Sequence, residues 1–157
     1  MSLVRVKDYL SAFGAENRIL EFDISSATVE LAAQAVGCPA GRIAKTLGFL
    51  LNGRAILVVA AGDAKVDNRR FKDCFGAKAV MLTPQQAVEL VGYAVGGVCP
   101  FALPPGVPVY LDASLRRFQR VYPACGSSNS AIELTIAELE QFSRFADWVD
   151  VCKGWQP

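Results

Sequence analysis

The chain has 157 residues, 52% of them apolar, and a formal charge of +1. Length and apolar content suit one domain that buries its own core, and the near balance of charge excludes an overall basic field that would draw the protein onto nucleic acid or a membrane, so any contact with RNA has to be local. No histidine is present and the five cysteines are scattered without a Cys-x-x-Cys pair, which removes Ser-His and Cys-His catalytic pairs and leaves no soft-metal site.

The cysteines read as reduced thiols of a cytoplasmic protein. The opening residues carry charges where a signal peptide needs its apolar region, and no apolar run approaches the length of a bilayer span, so neither a membrane nor a metal or organic cofactor is expected. Residues 2–13 predict a helix, capped by Ser2 and stopped by Gly14. Residues 18–22 predict a short strand, and residues 29–36 a helix with Thr28 as its N-cap and Gly37 as its stop.

Residues 41–63 form the central stretch, two apolar strands joined at Asn52-Gly53, a pair that readily takes the positive φ values of a two-residue type I′ turn. Alternation puts Lys45 on one face with Leu47 and Phe49. A lysine there either snorkels to water along its own methylenes or stands beside a pocket for an anionic or oxygen-rich ligand.

After the hairpin, Asp67 caps a helix that closes at Gly76, and residues 79–82 predict a buried strand. Thr83, Pro84 and Gln86 form a capping box with proline at the first helical position, predicting a helix to about Val91. Residues 92–106 are too rich in Gly and Pro for regular structure. Residues 107–111 predict a strand ending at Asp112, which either orients a polar group or caps the turn after it. A helical turn over 114–119, strands over 121–124 and 131–134 around a polar loop, a helix from the Thr135–Glu138 capping box to about Phe142, and a final strand over 146–151 complete the chain, with residues 154–157 expected to fray. Hairpins mixed with short helices, without regular βαβ alternation, predict a mixed α/β fold of the α+β type with a mainly antiparallel sheet covered by helices.

Three features interrupt this apolar chain: Lys45, the loop 96–100 and the loop 126–130. Glycines let a main chain approach a ligand closely and offer its N–H and C=O groups, although Gly and Pro also mark ordinary connections. The arginines and lysine at 69, 70 and 72, and the arginines at 116, 117 and 120, could meet RNA phosphates or form solvated faces balanced by nearby acids. Cys99 sits near the glycines but has no histidine to activate it, which favours a buried or pocket-lining thiol over a nucleophile.

Several segments together resemble the YbaK/EbsC family, which includes the editing domain inserted in bacterial prolyl-tRNA synthetase and its free-standing relatives. They are Ala32-Ala-Gln-Ala-Val-Gly37, Arg42-Ile-Ala-Lys-Thr-Leu47, Gly92-Tyr-Ala-Val-Gly-Gly-Val-Cys-Pro-Phe101, Val109-Tyr-Leu-Asp112, Ala124-Cys-Gly126 and Ala131-Ile-Glu-Leu134. The resemblance runs from about Glu21 to Phe142 and implies a mixed sheet curled into a partial barrel, with residues 1–157 as a single editing domain. It also implies an aminoacyl-tRNA deacylase that hydrolyses the ester of a mischarged tRNA, tRNA(Pro) carrying Cys, Ala or another small amino acid. The acceptor end is then the partner, with prolyl-tRNA synthetase a candidate second one.

Position by position, Lys45 matches the family's lysine and is the candidate catalytic residue, while Gly96 to Pro100 matches its Gly-x-x-x-Pro loop, whose main chain would hold the aminoacyl group. Gly97 and Val98 within that loop, Thr46 and Leu47 beside the lysine, and Asp112, Gly126, Ser127 and Asn129 are the further candidate substrate contacts. Pocket volume would depend on Leu47, Phe49, Val98 and Phe101. Some relatives carry a histidine after the segment matching 124–126; here Ser127, Ser128, Asn129 and Ser130 stand there, so histidine-dependent chemistry is excluded. A non-catalytic module that binds tRNA or a synthetase on the same scaffold is the rival from a different class, and a generic small-molecule hydrolase is a third reading.

Overall fold

The computed structural model describes residues 2–156. The order of elements is α1 (Ser2–Ser11), β1 (Ile19–Glu21), α2 (Val29–Val36), β2 (Ile43–Leu51), β3 (Arg54–Ala61), β4 (Lys65–Val66), α3 (Asn68–Phe75), α4 (Pro84–Gln86), β5 (Val109–Asp112), β6 (Arg120–Pro123), β7 (Ser130–Ile132), β8 (Leu134–Thr135), α5 (Ile136–Ser143), β9 (Asp147–Val149) and β10 (Cys152–Lys153). Six strands form one curled, half-barrel sheet in the order β8-β6-β2-β3-β5-β9. The β2–β3 and β6–β8 pairs are antiparallel, and the other three pairs of the sheet are parallel. Two small antiparallel pairs, β1–β7 and β10–β4, flank it, so four of the seven pairings are antiparallel.

The β2–β3 hairpin is the spine. Asn52 (φ 52°) and Gly53 (φ 80°) take the left-handed values that a type I′ turn demands, and the register runs from Leu51 opposite Arg54 to Ala44 opposite Ala61. Every residue of β3 from Ala55 to Ala61 is buried, as expected of an apolar run covered on both faces. Phe49 of β2 meets Phe71 of α3 at 4.8 Å between ring centres, and the contact continues through Phe75 to Tyr110.

Helix ends follow their sequence signals. The Thr28 side chain accepts from the Leu31 N–H and Asp67 accepts from the N–H groups of Arg69 and Arg70, while Gly37 and Gly76 close α2 and α3. Both capping boxes form, Thr83 with Gln86 and Thr135 with Glu138. The first helix ends at Ser11, two residues short of the expected Phe13.

Four expectations need correction. Residues 79–82 make only one isolated bridge, Met81 opposite Phe49, and Val80 and Met81 are half exposed. The helix after Thr83 has three α-helical residues and then a π-helical turn, Ala87–Val91. The strand expected over 131–134 divides at Glu133, with β7 pairing β1 and β8 pairing β6. At the end of the chain the indole of Trp155 donates to the Cys152 carbonyl (3.1 Å) and the Arg117 guanidinium lies over its ring, so this residue is held; Pro157 lies outside the described residues.

Candidate active site

β2 and β6 run side by side only at Ile43–Tyr122 and Ala44–Pro123, and then diverge. A cavity of about 290 Å³ fills the gap. Its walls are the β2 segment 43–48, the loop 26–28 with the first turn of α2, Gly96 and Val98, Tyr122 in the paired part of β6, and Ala124, Ser130 and Ala131 beyond the divergence. Leu82, Ala87 and Val91 close it with apolar surface.

The edge of β2 supplies main-chain groups. Gly48 accepts from the Leu82 N–H (2.9 Å) and Leu50 donates to the Val80 carbonyl (2.8 Å), so these residues turn their N–H and C=O away from β3. By the two-residue period Thr46 does the same, at a point where β6 has already left the sheet. An unpaired strand edge of this kind is a ready-made row of donors and acceptors.

Lys45 stands on the next position of the same strand. Its ammonium donates to the carbonyl of Ala64 and, at 3.5 Å, to that of Gly62, both in the turn after β3. Two of its three N–H groups are thereby engaged, which sets the direction of the side chain and leaves a third donor. Burial pushes its pKa below the usual lysine value, against the opposing pull of Cys152, Asp63 and Glu30. Asp63 is held by the Arg117 guanidinium in a two-pronged pair (2.5 and 2.9 Å), which draws its pKa down. Among the described residues that line the cavity there is no carboxylate.

Gly62 is packed so tightly that a Cβ there would lie 2.1 Å from the Ala40 carbonyl oxygen. The two glycines of the 96–100 loop are required by similar contacts. Gly96 has φ +91° and its would-be Cβ meets that of Ala27 at 2.9 Å; at Gly97 it would lie 2.9–3.0 Å from the main chain of Gly126 and Ser127. Three loops, around 26, 96 and 126, are thus pressed together by main-chain contact, and the Ser26 N–H bonded to the Ser128 carbonyl (2.6 Å) ties the first to the third.

Of the residues singled out from sequence, Lys45, Thr46, Leu47, Gly96 and Val98 line the one cavity. Gly97 and Gly126 lie behind its wall, and Pro100 is buried. Asp112 is elsewhere: fully buried, it accepts from the N–H groups of Ser114 (3.0 Å) and Val151 (2.9 Å), capping the turn after β5 and fastening the C-terminal segment. Ser127 and Asn129 are engaged away from the cavity, Ser127 Oγ donating to Asn129 Oδ1 within the loop and Asn129 Nδ2 to the carbonyl of Phe22, just after β1. Phe49 and Phe101 are core residues. Cys99 is fully buried, its thiol pushed up to about 12 by burial.

The arginines expected at RNA phosphates are largely engaged. Arg70 pairs with Asp150 and donates to the Cys152 carbonyl, Arg117 holds Asp63, Arg120 stands 3.9 Å from Glu133, and Arg116 lies over Trp148.

Ser26 is a residue that sequence reasoning missed. It is 7% exposed, it lines the cavity, and its Oγ has no hydrogen-bond partner among the described residues; the same is true of Thr46 Oγ1. An unmatched buried hydroxyl costs about 1–3 kcal/mol. The run from Ser25 to Thr28 looks like ordinary turn chemistry, which is how Ser25 and Thr28 are used.

The sequence pattern of the aminoacyl-tRNA editing domain matches residues 25–142. The chain belongs to this family. Its relatives include the Bacillus subtilis (strain 168) protein YwhH, described as uncharacterized, with 53% identity over 157 residues that cover 99% of this chain and all of that one. A proline–tRNA ligase of Desulfovibrio desulfuricans is 37% identical over 90 residues, 57% of this chain and 15% of the ligase. A crystal structure described as that of a proposed trans-editing enzyme for prolyl tRNA synthetase superimposes with a TM-score of 0.87 at 30% identity, covering 98% of each chain. The fold is accordingly YbaK-like. Among the described residues no helix is long and apolar enough to cross a membrane.

Proposed function

We infer that the protein is a free-standing, trans-acting aminoacyl-tRNA deacylase in the cytoplasm that hydrolyses the ester of a mischarged tRNA, tRNA(Pro) carrying Cys, Ala or a comparably small amino acid. The observation that carries this reading is the single cavity shared by Lys45, the Gly96 loop and the open edge of β2. Its volume, about 290 Å³, lies at the low end for ligand sites and suits the charged 3′ tip better than a whole nucleotide chain.

An aminoacyl ester is already activated, so the site has to hold it, admit water and stabilise the oxyanion. Water oxygen adds to the ester carbonyl, the C–O bond to the ribose breaks, and the ribose oxygen leaves with a proton, giving free amino acid and a tRNA 3′ end with its hydroxyl restored. The Thr46 N–H and the remaining donor of Lys45 are the groups available to the developing negative charge. Cys99 takes no part, since a thiol buried and shifted to about 12 is not a nucleophile at neutral pH. With a cysteinyl ester the substrate's own thiol can attack that carbonyl first: the C–S bond forms, the acyl C–O bond breaks, the ribose oxygen leaves with the thiol's proton, and water then opens the resulting thiolactone to free cysteine.

The test is Lys45→Ala on a panel of mischarged tRNAs: deacylation falls by about a hundredfold or more while the fold is retained, as for loss of one oxyanion donor. Wild-type rates in that variant would remove Lys45 from the mechanism. The rival, a module that binds the acceptor end without cleaving it, draws on the bonds from Lys45 to Gly62 and Ala64, which give the ammonium a structural employment. Such a module would leave every ester intact at the spontaneous rate.

A further inference from the structure

A cavity of about 290 Å³ holds the charged tip, and the nucleotides before it have to leave over one of its rims. One rim is apolar: Met81 and Val95 line it, 57% and 66% exposed, and their side chains offer a ribose-phosphate chain neither charge nor hydrogen bond. The other is the outer face of β6. Alternation puts Arg120, Tyr122 and Ala124 on that face, while Val121 and Pro123 between them are buried. Ala124 lines the cavity, Arg120 lines a separate open cleft of about 810 Å³, and Tyr122, between the two, lines both. The floor of the cleft therefore runs on into the site.

The Tyr122 ring is held in place. Its hydroxyl donates to Glu133 (2.5 Å), and the Arg42 guanidinium lies 5.2 Å from the ring centre. Leu20, 41% exposed, adds a second apolar surface to the same cleft. Around them three guanidiniums, Arg18, Arg42 and Arg120, face two carboxylates, Glu133 and Glu138, which leaves one positive charge in surplus. Arg18 is committed to Glu138 (2.6 Å), and Arg42 to the Arg120 carbonyl (3.2 Å) and to Glu133 (3.5 Å). Arg120 is half exposed and stands 3.9 Å from Glu133, so its guanidinium is the one most readily turned to a phosphate. An aromatic ring with a cation beside it is the pairing that holds single-stranded nucleic acid, the base against the ring and the backbone against the charge.

We propose that this cleft is where the single-stranded 3′ end of the tRNA enters, with one of the two cytidines before the terminal adenosine stacked on Tyr122 and a phosphate of that segment on Arg120. The identity of the RNA rests on the deacylase reading above; the path of the strand goes beyond it.

The experiment measures, by calorimetry, the binding of two analogues that cannot be hydrolysed, 3′-alanylamido-adenosine and the same group at the end of the trinucleotide CCA. Wild type is compared with Tyr122→Leu, Tyr122→Phe and Arg120→Ala, with circular dichroism confirming that each variant folds. Wild type is expected to bind the trinucleotide about tenfold or more tighter than the mononucleotide, as for stacking of one base. Tyr122→Leu should bring that ratio towards one, whereas Tyr122→Phe, which keeps the ring, should retain it. Arg120→Ala should lower the ratio and reduce the log–log salt slope of trinucleotide binding by about 0.7, one phosphate contact on a single strand. Equal wild-type binding of the two analogues, an advantage that survives both Tyr122→Leu and Arg120→Ala, a loss in Tyr122→Phe as large as in Tyr122→Leu, or no binding of either analogue would overturn the proposal. Because turnover plays no part in this measurement, a protein that shows the expected pattern and yet leaves every ester intact loses the deacylase reading and keeps the RNA path.

Discussion

Replacing Gly62 by alanine tests whether the turn after β3 sets the position of the lysine. A Cβ at residue 62 would stand 2.1 Å from the Ala40 carbonyl oxygen and 2.7 Å from Val29 Cγ1. The first contact is main chain and is roughly 1 Å or more short of an ordinary van der Waals separation, so no rotamer change relieves it and one backbone has to move. Overpacking of this kind costs about 1–3 kcal/mol, and a main-chain clash belongs in the upper part, about 2–3 kcal/mol. At this chain length each kcal/mol lowers the melting temperature by about 2–4 °C, giving a fall of about 4–12 °C in a thermal melt. The displaced residue carries a carbonyl that accepts from Lys45, so deacylation measured well below the new melting temperature should drop about tenfold to a hundredfold, as misplacement by roughly 1 Å does. An unchanged melting temperature would refute the packing argument, and a lowered one with full activity would show that Gly62 does not position the ammonium.

Cys99→Ala should keep deacylation within about threefold while costing about 1 kcal/mol of stability for the lost packing, and loss of activity in a folded Cys99→Ala protein would place the thiol in the chemistry. Lys45, followed by carbon NMR at its ε position, should titrate below 10.5 because burial disfavours the ammonium; titration at or above 10.5 contradicts the burial. The sign for stability is that the cost of the buried charge, present at neutral pH, is relieved as pH rises through this lowered value towards 10.5. Glu138 is held at about 2, chiefly by the Arg18 guanidinium, against an ordinary 4.5. Its contribution is present above about 4.5 and lost as pH falls towards 2, so Glu138→Gln should flatten the melting-temperature profile over that window, and an unaltered slope would show the pair to be inert.

The parts of the fold legible in sequence were those whose cause is local. Asn52-Gly53 can make few turns other than the one it makes, and Thr83 and Thr135 with their partners three residues on mark helix starts because both halves of each box lie in one turn. Residues 79–82 misled because an apolar run does not say how far it follows a neighbour; the segment touches the β2 edge that faces away from β3 through two main-chain bonds around one bridge, with Val80 and Met81 half exposed, and goes no further. The β4–β10 pair is two residues long and joins segments some ninety residues apart, below anything periodicity can register.

The site divides in the same way. Lys45 and Gly96 were legible because an ammonium in an apolar strand and a glycine-rich loop are conspicuous locally. Asp112 stayed open between two readings because a carboxylate at a strand end looks the same whether it faces a ligand or caps the next turn; the structure shows the cap, through the Ser114 N–H, and adds the Val151 N–H, 39 residues away, which no local pattern announces. Ser26 went unnoticed because its lack of a partner is a property of packing, visible only once the Gly96 loop and the β2 edge are brought around it.

The most direct test is the release of free amino acid from mischarged tRNA(Pro) by the purified protein, compared with the spontaneous rate and with Lys45→Ala under the same conditions. The account predicts turnover well above the spontaneous rate on at least one small amino acid, abolished by the substitution. Esters that survive at the spontaneous rate across the panel, despite measurable binding of the acceptor end, would contradict it.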